Sequence, residues 1–202
     1  MIISYHGAEC FKISQGDLTL ALNPISKDSK FKPARFGADI TLITTNNPDF
    51  NGREQTSRGD KESFIIDGPG EYETKDVFIK GFLSEGPAKK TNTIYLITFE
   101  GINICFLGAL SNPALSTETL ESIEDVDILF TPVSKETLDP ATAYKLAVSL
   151  EPSVIIPMYS TKETEAQFIK EGGTKVEPLD KFVVKKKDLE GKEGEIVVLK
   201  EE

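Results

Sequence analysis

The sequence predicts an α/β fold, a four-layer αββα sandwich of two mixed β-sheets with outer helices, and three observations predict it. The first half is dense in short β-branched and aromatic runs separated by Gly, Asp, Asn and Pro. From Pro113 the pattern changes to alternating helix and strand, which implies parallel strands joined by crossovers. No linker, low-complexity stretch or clear repeat interrupts the 202 residues, so a single domain over 1–202 is expected.

The elements follow in order. IISY, CFKIS, LTLAL, ITLITT, SFIID, VFIKGF, TIYLITF and INICFLG read as strands. Glu100–Gly101 between the last two fits a tight hairpin turn. Gly68–Pro69–Gly70–Glu71 reads as a turn; it lacks the Lys–Ser/Thr pair and following helix of a phosphate loop. Ser116 is the expected N-cap of STETLESI, with Leu115 and Leu120 as a hydrophobic staple. DVDILFTPV is a buried strand. Asp139–Pro140 combines an N-cap with Pro at the first helical position. The helix behind it places Ala143, Leu146, Ala147 and Leu150 on one face, and Pro152 ends it. SVIIPMY is the next strand, and Ser160 with Glu163 predicts a capping box for a helix ending at Gly172–Gly173. DKFVVKK and EIVVLK close the chain as strands.

Composition excludes several function classes. The chain is 39% hydrophobic and 28% charged, which is ordinary for a folded protein. Its 23 Lys and Arg against 33 Asp and Glu leave a net charge of −10. That charge repels phosphate backbones and anionic lipid, so neither nucleic acid nor membrane is an expected partner. The basic run Lys185–Lys186–Lys187 is diluted by Asp188, Glu190 and Glu193 and reads as a solvated strand end. MIISYHGAECFKI has no basic region, long apolar core or cleavage site, so no signal peptide is expected. Cys10 and Cys105 lie in apolar strand-like runs and are expected as buried free thiols of a cytoplasmic protein. One His and two distant Cys cannot build a three-histidine or four-cysteine zinc site.

Eight segments in order resemble a known family, the metallo-β-lactamase fold hydrolases, in a short bacterial branch near the ascorbate-6-phosphate lactonase-like group. Tyr5–His6–Gly7–Ala8–Glu9–Cys10–Phe11 is similar to the family's Y-L-G-H-S-C-F, and Leu22–Asn23–Pro24 to its I-D-P. GPGEYE, NTIYLITFEG, DVDILFTPV, TLD with its helix, EPSVIIPM and DKFVVKKKDL resemble further family segments. The resemblance implies the sandwich fold and a metal-activated water, held in active members by T-H-x-H-x-D-H after an apolar strand.

This chain departs from that motif at nearly every ligand. In LITTNNPDFNG, Thr45, Asn47 and Phe50 stand at the three His positions and only Asp49 remains. Ala109 replaces the bridging Asp of L-G-D-L-G, Tyr159 the His of P-M-H-Y, Ala8 the N-terminal His and Asn23 the Asp of I-D-P. The middle histidine falls near Leu83–Glu85, where no His exists. Thr and Asn bind zinc weakly, Phe not at all, and Ala109 offers no bridging oxygen.

No metal, no cofactor and no catalytic residue is therefore expected. The candidate site is a vestigial pocket of Asn23, Thr45, Asn47, Asp49, Phe50, Ala109 and Tyr159, with His6 nearby. For Asp49 a residual ligand, a general base and a helix cap are all open, and the cap is the expected role. Asn46, Asn47 and Asn51 are expected to satisfy turn backbone groups, and His6 to be satisfied or solvent-facing. Phe50 is expected to fill the metal volume and Tyr159 to hydrogen-bond across it. Ser84 and Ser111 lack a partner base. The expected function is a non-catalytic binding or assembly protein, with a small molecule or a protein as partner and an oligomer possible. The alternative is a phosphoester or lactone hydrolase using a non-zinc or weakly held metal site around Asp49.

Overall fold

The computed structural model describes residues 1–60, 62–173 and 175–202. Alternating apolar residues build the first sheet. β1 (Ile2–Tyr5), β2 (Phe11–Gln15) and β3 (Leu18–Leu22) form an antiparallel meander in which Ile3 opposes Ile13 and Ile13 opposes Leu20. β4 (Ile40–Leu42) and β5 (Phe64–Ile66) extend it in parallel.

The second sheet starts with four antiparallel strands: β6 (Gly70–Thr74), β7 (Val77–Glu85), β8 (Thr91–Phe99) and β9 (Ile102–Phe106). It continues in parallel through β10 (Ile128–Pro132), β11 (Val154–Met158) and β13 (Glu195–Ile196). β12 (Phe182–Val183) returns to pair with β1. The orders are β12-β1-β2-β3-β4-β5 and β13-β11-β10-β9-β8-β7-β6, the two mixed sheets expected.

The inward faces pack against each other. Phe11, Ile13, Leu20 and Leu42 of the first sheet meet Tyr95, Ile97, Phe106 and Phe130 of the second. β10 and β11 are buried on both faces, which is why their sequences are continuous apolar runs rather than alternating ones. Among the described residues the second sheet is covered by α1 (Thr117–Ser122), α2 (Pro140–Ser149) and α3 (Lys162–Glu171). Ala143, Leu146 and Ala147 of α2 and Phe168 of α3 close a second core against Cys105, Leu129 and Ile155. The outer layer on the first sheet is irregular chain over 24–39, anchored by Phe36, which stacks on His6 and lies under Lys12. Pro24, Pro33 and Gly37, with no apolar period of 3.6, keep it from becoming helix.

Asp139 caps α2 through its bond from the Thr142 N–H, with Pro140 at the first position, and Ser116 caps α1, as the sequence suggested. Three details differ. The capping box of α3 is Thr161 with Thr164, one residue past Ser160, because the Thr164 hydroxyl also reaches back to the Val133 carbonyl. The Leu115–Leu120 staple does not close: Leu120 is 48% exposed. GEYE is not only turn; Gly70–Thr74 pairs along β7 as an edge strand whose glutamates face water.

Glu100 and Gly101 turn β8 into β9 with φ of 52° and 72°, the double left-handed form of a two-residue hairpin. Glu100 is exposed and pays left-handed strain that Asn tolerates. Glu100→Asn should stabilise the chain by about 0.5–1 kcal/mol, read as a higher urea midpoint with an unchanged slope.

Candidate functional site

The ends of β1, β3, β4, β9 and β11 converge at one end of the sandwich, stitched by backbone bonds. The Asn23 N–H donates to the Leu42 carbonyl at 2.9 Å and the Tyr159 N–H to the Ala8 carbonyl at 2.8 Å. Ala8, Asn23 and Tyr159 all hold positive φ, at 51°, 42° and 53°. Each left-handed non-glycine residue costs about 1–2 kcal/mol, and such strain concentrates at functional loops. Gly108 is required where β9 ends: its φ is +58°, and a Cβ there would meet the Thr44 side chain at 2.5 Å.

Two carboxamides organise the floor. Asn23 donates to Glu9 Oε2 at 2.7 Å and Thr44 Oγ1 at 2.9 Å, while its oxygen accepts from the Thr44 N–H. Asn92 donates to the Leu107 carbonyl and accepts from the Ala109 N–H, both at 2.9 Å. Glu9 is fully buried and, among the described residues, its Oε1 has no hydrogen-bond partner. Burial pushes its carboxyl up to about 8; the Asn23 bond opposes this and the Asp49 charge adds to it. Sequence reading missed both Glu9 and Asn92 as site residues. The one available signal was a lone acid inside an otherwise apolar or small-residue segment, AECF.

The residues at the ligand positions do not fit zinc. Phe50 is 2% exposed and packs with Ala8, Cys10, Ile25 and Ala109, with Phe31 and Tyr159 against them. The Tyr159 ring meets Phe50 edge-on at 5.3 Å and Phe31 at 6.0 Å. Ala109 and Thr45 are buried, and Asn47 accepts from the Asp49 N–H, a turn bond. Among the described residues no group of three or more His, Cys, Asp or Glu is placed to hold a metal ion. An apolar plug of this kind offers a transition metal nothing in exchange for its water.

Asp49 does not cap a helix. The short turn at Arg53–Gln55 starts from Gly52 with no side-chain cap, because Asp49 instead accepts from Ser29 Oγ at 2.5 Å. Asn51 donates to Asn46 at 2.6 Å, side chain to side chain, so the turn-backbone role expected of the three amides is seen at Asn47 and not in this pair. The His6 backbone N–H donates to the Cys10 carbonyl, but among the described residues its Nε2 has no hydrogen-bond partner, and the ring is not open to solvent. Its side chain is 10% exposed, its ring stacks on Phe36, and its Nε2 lies 3.7 Å from Glu202. Burial lowers its pKa, partly offset by Glu202. Cys10 and Cys105 are buried free thiols, each pushed up to about 12 by burial.

Outside the plug lies a cleft of about 370 Å³ whose lining includes Tyr5, Ala8, Phe31 and Tyr159. The Tyr159 hydroxyl donates outward, to Glu136 Oε2 at 3.2 Å, rather than across the former pocket. A larger groove of about 600 Å³, between Val148 and Gly194, is far from these loops and lacks convergent buried polar groups.

Stacked mixed sheets with a loop cluster at their strand ends define a sandwich of the metallo-hydrolase class. The chain belongs to the metallo-β-lactamase superfamily: the sequence model of the beta-lactamase superfamily domain matches residues 2–159. It is similar to a Thermotoga maritima protein of that superfamily, at 26% identity and a TM-score of 0.81, over 100% of this chain and 99% of the other. Igni18, a metallo hydrolase from Ignicoccus hospitalis, shares 17% identity at a TM-score of 0.62, over 91% of this chain and 99% of that one. The metallo-beta-lactamase fold protein YhfI from Bacillus subtilis shares 8% at 0.62, over 99% and 96%. Comparison with curated proteins gave no match. Among the described residues no helix is long and apolar enough to cross a membrane.

Proposed function

We propose that this superfamily member works by binding or assembly, without zinc and without hydrolysis, in the cytoplasm. One observation supports the reading: Phe50, at a position where the family motif carries a metal-binding His, is buried against Tyr159, Ala8 and Ala109. The left-handed backbone at Ala8, Asn23 and Tyr159 supports it, because strain of this kind ordinarily accompanies functional loops. Elemental analysis of protein purified without chelators is the test. Zinc and iron well below one equivalent per chain are expected, and a stoichiometric transition metal overturns the reading.

A second reading is a hydrolase of phosphoesters or lactones built around Asp49. The buried Glu9 carboxyl, electrostatically coupled to Asp49, favours it, because acid–base pairs arise where environments separate two carboxyl groups. Turnover of such substrates by the wild type, lost in Asp49→Ala, would establish it.

A further inference from the structure

The cleft over the plug has a chemistry of its own. Three aromatic residues, Tyr5, Phe31 and Tyr159, line it together with three acidic ones, Glu136, Glu163 and Glu201. Ring faces and carboxylates both favour a cation. The protein's own Lys30 ammonium already sits 5.2 Å from the Phe31 centroid. Burial raises the pKa of both phenols most, and the charges that raise them further are acidic: Glu201 and Glu9 at Tyr5, Glu136 and Asp49 at Tyr159. Lys30 and Lys135 also line the cleft, as do Ser134, Ser160, Thr161 and Thr164, whose hydroxyls are already engaged with Thr137, Glu165 and each other. The N-terminus of α3, which would otherwise attract an anion, is closed by its Thr161–Thr164 box and flanked by Glu163 and Glu165.

We propose that this cleft binds a small organic ammonium group, held against the Phe31 and Tyr159 rings with Glu136 as its counter-charge. The inference rests on the binding reading above and names the ligand class for that site.

The test is a 1H–15N titration of the full chain at neutral pH with butylammonium and tetramethylammonium chlorides. Sodium chloride serves as the ionic-strength control, and inorganic phosphate and acetate as the anion arm. Saturable shifts are expected at Phe31, Glu136, Tyr159 and Ser160 with the ammonium probes alone. Glu136→Gln, at an exposed position, should weaken them about two- to fivefold, the scale of one partly exposed cation contact. Lys30→Gln should leave binding equal or tighter by vacating the Phe31 face. Linear, non-saturating shifts with both ammonium probes overturn the proposal, as does saturation by phosphate that Lys30→Gln weakens. Failure here with zinc-free protein leaves the metal-free reading standing; stoichiometric zinc removes that reading regardless of the titration.

Discussion

Phe50→Ala will cost about 3–5 kcal/mol of stability, the range for deleting a fully enclosed aromatic side chain. Phe50 touches an apolar shell of Ala8, Cys10, Ile25 and Ala109, with Tyr159 edge-on to its ring. The loops that carry this shell are pinned by backbone bonds, such as Ser26 N–H to the Pro48 carbonyl and Gly52 N–H to the Pro24 carbonyl. They cannot collapse freely, so most of the void should persist. The value of the variant is its contrast with a working active site. There, side chains are held for chemistry, and replacing them commonly leaves stability unchanged or improved. Here the same position acts as core. Asp49→Ala should cost only about 1 kcal/mol, the loss of one half-exposed hydrogen bond with Ser29. Denaturant midpoints for the two variants, side by side, are the measurement. A loss below about 1 kcal/mol for Phe50→Ala would mean that the ring fills no closed volume, and the case for a repacked metal pocket would go with it.

The fold was legible where local chemistry and tertiary context agree. DVDILFTPV could be read as a buried strand because a strand covered on both faces is a near-continuous apolar run. Glu100–Gly101 and Asp139–Pro140 carry their geometry in two residues each. The edge strand Gly70–Thr74 was hidden by the same alternation that makes it an edge: Glu71 and Glu73 face water and mask Tyr72, which packs inward. The α3 cap slipped by one residue because Ser160 and Thr161 are equally good caps locally. Only the bond from Thr164 to the Val133 carbonyl, just past β10, separates them.

At the site, the lost donors could be read one by one from motif positions. What replaced them could not. That Asp49 turns to Ser29, and His6 to Phe36, depends on the irregular segment over 24–39, which has no periodic signal. Glu9 is the plainest case. A carboxyl in a turn is ordinarily solvated, and only the assembled loops reveal that this one is sealed in.

That sealing makes Glu9→Gln the second large effect, one that appears only as pH rises. In the unfolded chain a glutamate releases its proton near 4.5; in the folded protein burial holds that proton until about pH 8. Between those values the folded state carries one proton more than the unfolded state, so stability must fall as pH increases. Below the window both states are protonated and the dependence vanishes; above it both are ionised and the full loss is in place. The slope inside approaches about 1.4 kcal/mol per pH unit, giving a loss of a few kcal/mol across the window. Gln cannot ionise, and its carbonyl oxygen can still accept the Asn23 amide, so the variant should lose this fall with pH. It should also be the more stable protein at alkaline pH.

His6 contributes with the opposite sign. Its folded pKa lies below 6.5, so its share of stability grows as pH climbs towards that value and then levels off. It is present in both proteins, and the difference between their profiles isolates Glu9. Guanidinium midpoints at intervals from about pH 5 to about pH 9, a span covering the linkage window, provide that difference. Parallel profiles for wild type and Glu9→Gln would show the carboxyl to be ionised and satisfied in the native protein. A cation or an ordered water network would then have to occupy the floor of the pocket.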